Sequence, residues 1–144
     1  MIDKRELRIG NIVSCATDED DNCLPCKIFE LYEDRLKWGL LDDLKGGNST
    51  SYKHTVAIRI TPSWLEKMGF EQDIDEDKDV FWGIGMAKWF RLFWWEFSIP
   101  DDNGFYFKND SPVETKVTSV HQLMNLYFFI TGEELTIKTD LYER

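Results

Sequence analysis

The sequence predicts an α+β fold in which a mainly antiparallel sheet carries a short central helix and a longer C-terminal helix. The strands are indicated by short segments of alternating apolar and polar residues, separated by turn-forming residues. The dipeptide Thr61-Pro62 marks the start of the short helix, because proline is favoured at the first helical position. The longer helix is indicated by apolar residues at helical spacing from Ser119 to Leu135.

The N-terminal part is predicted to form a small antiparallel sheet or half-open barrel, of the kind seen in SH3-like modules. Its strands are expected at residues 8–15, 27–32, 35–41 and 52–60. The segment 42–51 contains Gly46-Gly47 and is predicted to be a flexible loop. The SH3-like comparison concerns architecture alone and implies no function.

The second part of the chain is predicted to continue from the short helix into another series of strands. Residues 72–79 are expected to form an acidic turn, Gly85-Met86 a second turn, and Asn103-Gly104 a hairpin. The strands are expected at residues 80–84, 88–99, 105–108 and 114–118. At 144 residues the chain is expected to be a single domain, and the finer alternative divides it into 1–60 and 61–144.

The C-terminal helix has sequence markers at both ends. Ser119 is a good N-cap and Gln122 follows at the capping-box spacing, whereas Gly132 can take positive φ and end the helix. The apolar stripe between them consists of Val120, Leu123, Met124, Tyr127, Ile130 and Thr131, widened by Leu126 and Phe129. A helix this apolar is expected to pack on a sheet and to cover one face of the aromatic strand at 89–97.

Three segments carry a resemblance that covers most of the chain. They are ELRIGN at 6–11, TPSWLEKMGF at 61–70, and VHQL, NLYF and TGEEL within 120–135. In this order they resemble a family of small uncharacterised proteins from Bacteroides-type bacteria and their phages. The resemblance implies a bacterial or phage origin. It brings no known activity, so no catalytic residue is taken from it.

The charge of the chain argues against direct binding to nucleic acids. Asp and Glu number 27 against 17 Lys and Arg, which gives a formal net charge of −10. This charge repels phosphate backbones, whereas it fits a basic protein partner or mimicry of nucleic-acid charge. The N-terminal residues do not resemble a signal peptide, and no stretch is long and apolar enough for a membrane span. A cytoplasmic protein with reduced cysteines is therefore expected.

The aromatic run in the second part is the most informative feature for function. Strand alternation places Trp89, Phe93 and Trp95 on one face, and Leu92 and Trp94 on the other. Both faces then need cover, and the first expectation is that the two parts of the chain bury this strand between them. The functional alternative is an aromatic surface that binds a protein or a sugar ring, with a second copy of the chain as one possible protein partner. Its candidate residues are Trp82, Trp89, Trp94 and Trp95.

The cysteines and histidines give only weak signals for chemistry. Cys23 and Cys26 are spaced as in half a zinc site, and Cys15 and His54 could supply the two remaining ligands. No second Cys-x-x-Cys is present, so incidental thiols and no cofactor are the favoured interpretation. Neither His54 nor His121 has a nucleophile or a third group placed beside it by the sequence, so an enzyme is disfavoured.

The favoured hypothesis is a small interaction or accessory module that binds a protein partner. The first alternative is an acidic mimic that occupies a nucleic-acid-binding protein. This would require four carboxylates, those of Asp73, Asp75, Asp77 and Asp79, to line one exposed face. The second alternative is an enzyme of unknown type, with a deep pocket that holds a histidine beside a carboxylate or a cysteine.

Overall fold

The computed structural model describes residues 2–15, 24–41, 43–84, 90–95, 104–108 and 114–137, with their side chains except at 24, 43–47, 95, 108 and 114. Within these ranges it confirms the α+β class, with two antiparallel five-stranded sheets, one of them strongly curled into a half-barrel, and two α-helices. The chain divides into two compact units. The first joins Met1–Ile58 to Val120–Glu134, and the second consists of Arg59–Ser119 and the segment that starts at Leu135.

The first unit contains a sheet in which the fifth strand returns to pair with the first. Its strands are β1 (Ile12–Cys15), β2 (Leu24–Leu31), β3 (Arg35–Leu40), β4 (Asp43–Ser51) and β5 (Thr55–Val56). Their order is β4-β3-β2-β1-β5, and every pair is antiparallel. A short 3-10 turn at Tyr52–His54 connects β4 to β5, and β5 pairs with β1. This order leaves β4 and β5 as the two edge strands, and it agrees with the small antiparallel sheet that the sequence predicts.

The predicted loop at 42–51 is wrong, because nearly all of it forms β4. Ser51 pairs with Arg35 and Asn48 pairs with Trp38, so the segment is an edge strand along β3. Glycine weakens a strand locally, but backbone hydrogen bonds to a neighbouring strand can override that preference. The strand predicted at 52–60 is correspondingly reduced to β5.

The core of the first unit is built from alternate residues of its strands and from the N-terminal segment. Residues two apart on a strand point to the same face, which explains why the buried positions alternate. The cluster consists of Ile2, Leu7, Val13, Cys15, Cys26, Ile28, Leu36 and Trp38. Two of the three cysteines are therefore part of this core.

The C-terminal helix α2 (Val120–Thr131) belongs to the first unit, where it packs on β1. Gly132 ends it with φ +75° and donates its N–H to the carbonyl of Phe128 at 2.8 Å. Helix α2 belongs to the first unit and residues 91–95 of the aromatic strand to the second, so the expected cover of that strand by this helix stays a prediction. Phe129, predicted to widen the apolar stripe, is instead 87% exposed.

The second unit starts with a capped helix and continues as an uninterrupted series of neighbouring strands. Helix α1 (Pro62–Lys67) is capped by Thr61, whose hydroxyl accepts a hydrogen bond from the Trp64 N–H at 3.3 Å. The strands are β6 (Phe70–Ile74), β7 (Val80–Ile84), β8 (Arg91–Trp95), β9 (Gly104–Lys108) and β10 (Glu114–Val117). Each pairs with the next in antiparallel orientation. In the described residues, neither helix is long and apolar enough to cross a membrane.

Candidate interaction surface

One face of the second sheet carries a group of buried apolar side chains. The pairs Trp82 with Leu92 and Leu92 with Phe107 place these three side chains on the same face. Phe90 packs over this face, with its ring centroid 4.5 Å from that of Phe107 and 6.1 Å from that of Phe70. All five side chains are buried, so this part of the face is the core of the second unit.

The same face ends in three exposed apolar side chains. Ile74 pairs with Val80, and because Phe81 pairs with Phe93, the next position along places Val80 opposite Trp94. Their exposed fractions are 61% for Ile74, 46% for Val80 and 51% for Trp94. Side chains directly opposite on neighbouring strands lie about 5 Å apart at Cβ. These three residues therefore form one row across β6, β7 and β8, called here the apolar row.

The tryptophan of the row has a defined support. Its ring makes an edge-to-face contact with Phe105, with ring centroids 5.2 Å apart and planes inclined by 76°. Phe105 is itself buried, so one edge of Trp94 rests on the core while half of the side chain faces outward. A rigid aromatic group held in this way is suited to binding, because little conformational entropy is lost when a partner covers it.

The opposite face of the sheet carries aromatic side chains that cover one another. Phe93 stacks on Tyr106 with centroids 5.4 Å apart, and Phe81 lies 6.0 Å from Phe93. The guanidinium carbon of Arg91 lies 4.6 Å from the centre of the Phe81 ring, in a cation–π contact. Phe81 is buried, whereas Phe93 and Tyr106 are half-buried. Within the described side chains, Phe81, Phe93 and Tyr106 are thus less exposed than the three residues of the apolar row.

An acidic hairpin tip lies directly beside the apolar row. The Asp75 N–H donates to the Asp79 carbonyl at 3.0 Å, and the Asp79 N–H donates to the Asp75 carboxylate at 2.8 Å. Lys78, at φ +64°, takes the left-handed position of this three-residue loop. The carboxylates of Glu76, Asp77 and Asp79 face solvent. Ile74 and Val80, a paired position of β6 and β7, flank the turn that carries these carboxylates.

The four aspartates proposed for nucleic-acid mimicry differ in exposure and in hydrogen bonding. Asp73 and Asp75 are half-buried, and each carboxylate accepts a backbone N–H, from Ile74 and from Asp79 respectively. Only Asp77 and Asp79 of the four are exposed. Asp73 and Asp75 thus stabilise the hairpin, which leaves a smaller exposed acidic group than the mimic hypothesis requires.

The structure places the four tryptophans of the sequence prediction in different settings. Trp82 is buried and Trp94 is half-exposed, both on the same face. Trp89 and the side chain of Trp95 lie outside the described residues. Sequence reasoning missed Ile74 and Val80 as surface residues. Their position on either side of the acidic turn was the signal, because it puts both side chains at the end of a hairpin.

The residues of the weak zinc alternative do not form a metal site in the described part of the chain. Cys15 and Cys26 are buried in the core of the first unit and form no disulfide within the described residues, and Cys23 lies outside those residues. Among the residues with described positions, including His54, no group of three His, Cys, Asp or Glu side chains could hold a metal ion. Burial among apolar residues makes Cys15 and Cys26 structural.

His121, the other histidine considered for catalysis, is a buried residue on the packed face of α2. It shares that face with Val120, Leu123 and Met124. Burial lowers the pKa of its imidazole from the ordinary value of 6.5, and the negative charge of Glu6 opposes this shift. The neutral imidazole is therefore favoured, and its setting is that of a core histidine.

Two of the three segments that carry the family resemblance meet in the first unit. The Asn125 carboxamide oxygen accepts hydrogen bonds from the Arg8 side chain and from the Asn11 amide, both at 2.8 Å. The Asn125 amide donates to the Glu6 carbonyl at 2.7 Å. Arg8 also forms an ion pair with Glu134 at 2.7 Å. We call Arg8, Asn11, Asn125 and Glu134 the terminal clamp, because they tie the N-terminal segment to α2 and to the segment that follows it.

The terminal clamp gives a structural reason for these motif residues. Asn11 is fully buried, and its side-chain oxygen also accepts the Arg8 backbone N–H at 2.7 Å. The guanidinium carbon of Arg8 lies 4.3 Å from the centre of the Phe128 ring, which adds a cation–π contact. These side chains thus hydrogen-bond to one another and to the backbone of the N-terminal segment.

A comparison with protein-family models, curated proteins and solved structures finds no match for this chain.

Proposed function

We propose that this protein is a small interaction module that binds a protein partner through the apolar row. The observation that carries the proposal is the exposure of three adjacent apolar side chains, Ile74, Val80 and Trp94, on the same sheet face as the buried Trp82 and Leu92. Covering such surface stabilises a complex by about 25 cal/mol per Å² before the costs of association are subtracted. Clustered exposed apolar residues around a supported tryptophan are typical of protein-binding sites.

The charge of the chain supports a protein rather than a nucleic acid as the partner. A net charge of −10 disfavours approach to a phosphate backbone, and it favours approach to basic protein surfaces. The resemblance to small proteins of bacteria and phages, proposed from the sequence motifs, fits an accessory protein of this size. The settings of His121 and the core thiols give no comparable support to an enzyme.

Site-specific photo-crosslinking tests this function with a matched control in the same chain. Val80 and Val56 are both strand valines, exposed by 46% and 47%, but they lie in different units. Each is replaced in turn by a photoreactive phenylalanine analogue, and the protein is expressed in the cells from which its gene comes. We expect discrete protein adducts from position 80 and not from position 56.

The outcomes of the crosslinking experiment distinguish the alternatives. An adduct of twice the mass of the chain would identify a second copy as the partner. Loss of the position-80 adduct in a Trp94→Ala background would assign the contact to the apolar row. Equal labelling at both valines, or no adduct at position 80, would contradict the proposed function.

A further inference from the structure

We infer that the apolar row binds a cationic amphipathic helix, whose apolar side chains cover the row while its Lys or Arg side chains contact Glu76, Asp77 and Asp79. This inference rests on the proposed function and specifies the chemistry of the partner. It follows from the position of two features in one hairpin, because Ile74 and Val80 flank the turn that carries the three carboxylates. A partner that covers the row must therefore lie beside those carboxylates.

The charge of the hairpin tip selects the sign of the partner. The turn from Asp75 to Asp79 holds four carboxylates and one lysine, which leaves a net charge of −3. In the described part of the chain, Glu76, Asp77 and Asp79 take part in no ion pair. Cations on a partner would find acceptors there, whereas an acidic partner would be repelled. The apolar row alone would accept either kind, so the turn provides the discrimination.

The spacing of the row suits a helix laid across the strands. Three adjacent strands about 4.8 Å apart place the outer two side chains of the row about 10 Å from each other. An α-helix rises about 1.5 Å per residue, so its residues i and i+7 are about 10.5 Å apart on one face. Apolar residues at i, i+3 or i+4, and i+7 would thus meet Ile74, Val80 and Trp94 in turn.

The hairpin also allows its charge to be removed without breaking its hydrogen bonds. The turn is closed by backbone atoms and by the Asp75 carboxylate, so Glu76, Asp77 and Asp79 contribute no side-chain acceptor to it. The triple variant Glu76→Gln, Asp77→Asn, Asp79→Asn is therefore expected to keep the fold. The matched control is Glu33→Gln with Asp34→Asn, in the exposed turn between β2 and β3 of the first unit.

The experiment measures binding of three dye-labelled synthetic peptides by fluorescence polarisation. The first is a 14-residue leucine–lysine amphipathic helix, the second replaces its lysines with glutamate, and the third replaces its leucines with serine. We expect the leucine–lysine peptide to bind at least about tenfold more tightly than the other two. The triple variant should lose about tenfold in affinity and show a weaker salt dependence, and Trp94→Ala should also weaken binding.

Several results would overturn the inference. These are equal binding of the glutamate peptide, unchanged affinity in the triple variant, an equal loss in the control variant, or no binding of any peptide. If position 80 still crosslinks to a protein while the leucine–lysine peptide fails, the partner chemistry is wrong and the interaction function stands. If position 80 also gives no adduct, the interaction function fails as well.

Discussion

The two units of this protein differ in the setting of their most notable side chains, which form a polar network in the first unit and an exposed apolar row in the second. In the first unit, Arg8 and Asn125 stand 117 positions apart in the sequence and meet in a polar network that holds the N-terminal segment against α2. In the second unit, five strands follow one another along the chain and pair as consecutive neighbours. There the distinctive residues, Trp94 and its neighbours in the row, are left partly exposed.

This difference separates residues that serve the fold from residues available for binding. Polar side chains that satisfy one another inside a unit contribute stability and leave little for a ligand. Apolar side chains left at the end of a sheet contribute less to stability, and their exposure favours association. Changes in the terminal clamp should therefore act on folding, and changes in the apolar row should act on binding.

The sharpest test within the second unit compares a core aromatic residue with the exposed tryptophan. Phe90→Ala should lower the free energy of unfolding by about 3–5 kcal/mol, because Phe90 is buried between Phe70 and Phe107. Trp94→Ala should cost only about 1 kcal/mol, since its chief described contact is with Phe105. Urea denaturation measures both. A loss for Trp94→Ala as large as that for Phe90→Ala would show that this tryptophan is a core residue.

Within the first unit, the terminal clamp should contribute more to the free energy of unfolding than Phe129, the exposed aromatic residue of α2, does. Asn125→Ala should reduce the free energy of unfolding by about 2 kcal/mol, because it leaves the buried Asn11 amide without its acceptor. Phe129→Ala is the control on α2 and should change stability by no more than about 0.5 kcal/mol. Equal effects in thermal or urea denaturation would contradict the role assigned to the clamp.

The buried imidazole should make the stability of the first unit depend on pH. The folded-state pKa of His121 is lowered from 6.5 by burial, so below pH 6.5 the unfolded chain binds a proton before the folded chain does. The free energy of unfolding should therefore decrease as the pH falls from 6.5 towards the lower folded-state pKa. The variant His121→Leu should lose this decrease in the free energy of unfolding with pH, even if its overall stability differs from that of the wild type. An unchanged slope in the variant, measured by urea denaturation at several pH values, would rule out His121 as its source.

The smallest expected effect concerns the hairpin that carries the acidic tip. Lys78 holds φ +64°, so Lys78→Gly should relieve the left-handed strain and stabilise the second unit by about 0.5 kcal/mol. Lys78→Ala keeps a Cβ and should remain near the wild-type value, which makes it the matched control. If the glycine variant has no higher denaturation midpoint than the alanine variant, the left-handed conformation at position 78 does not reduce the stability of the second unit.

The candidate surface was only partly accessible to sequence reasoning. Alternation correctly places Leu92 and Trp94 on one face of β8, because side chains on a strand alternate whatever surrounds it. The same pattern could not distinguish the buried Trp82 from the exposed Trp94, since both lie on that face. Their burial depends on which residues pack over each position, and strand alternation does not specify those residues.

The sequence alone determined the class of the fold, the start of α1 and the end of α2. Thr61 and Pro62 start α1 and Gly132 ends α2, because capping and positive φ depend on only a few neighbouring residues. Tertiary structure decided that 43–51 is a strand and that α2 belongs with β1. Both outcomes depend on pairing and packing between residues far apart in the chain, which local preferences do not encode.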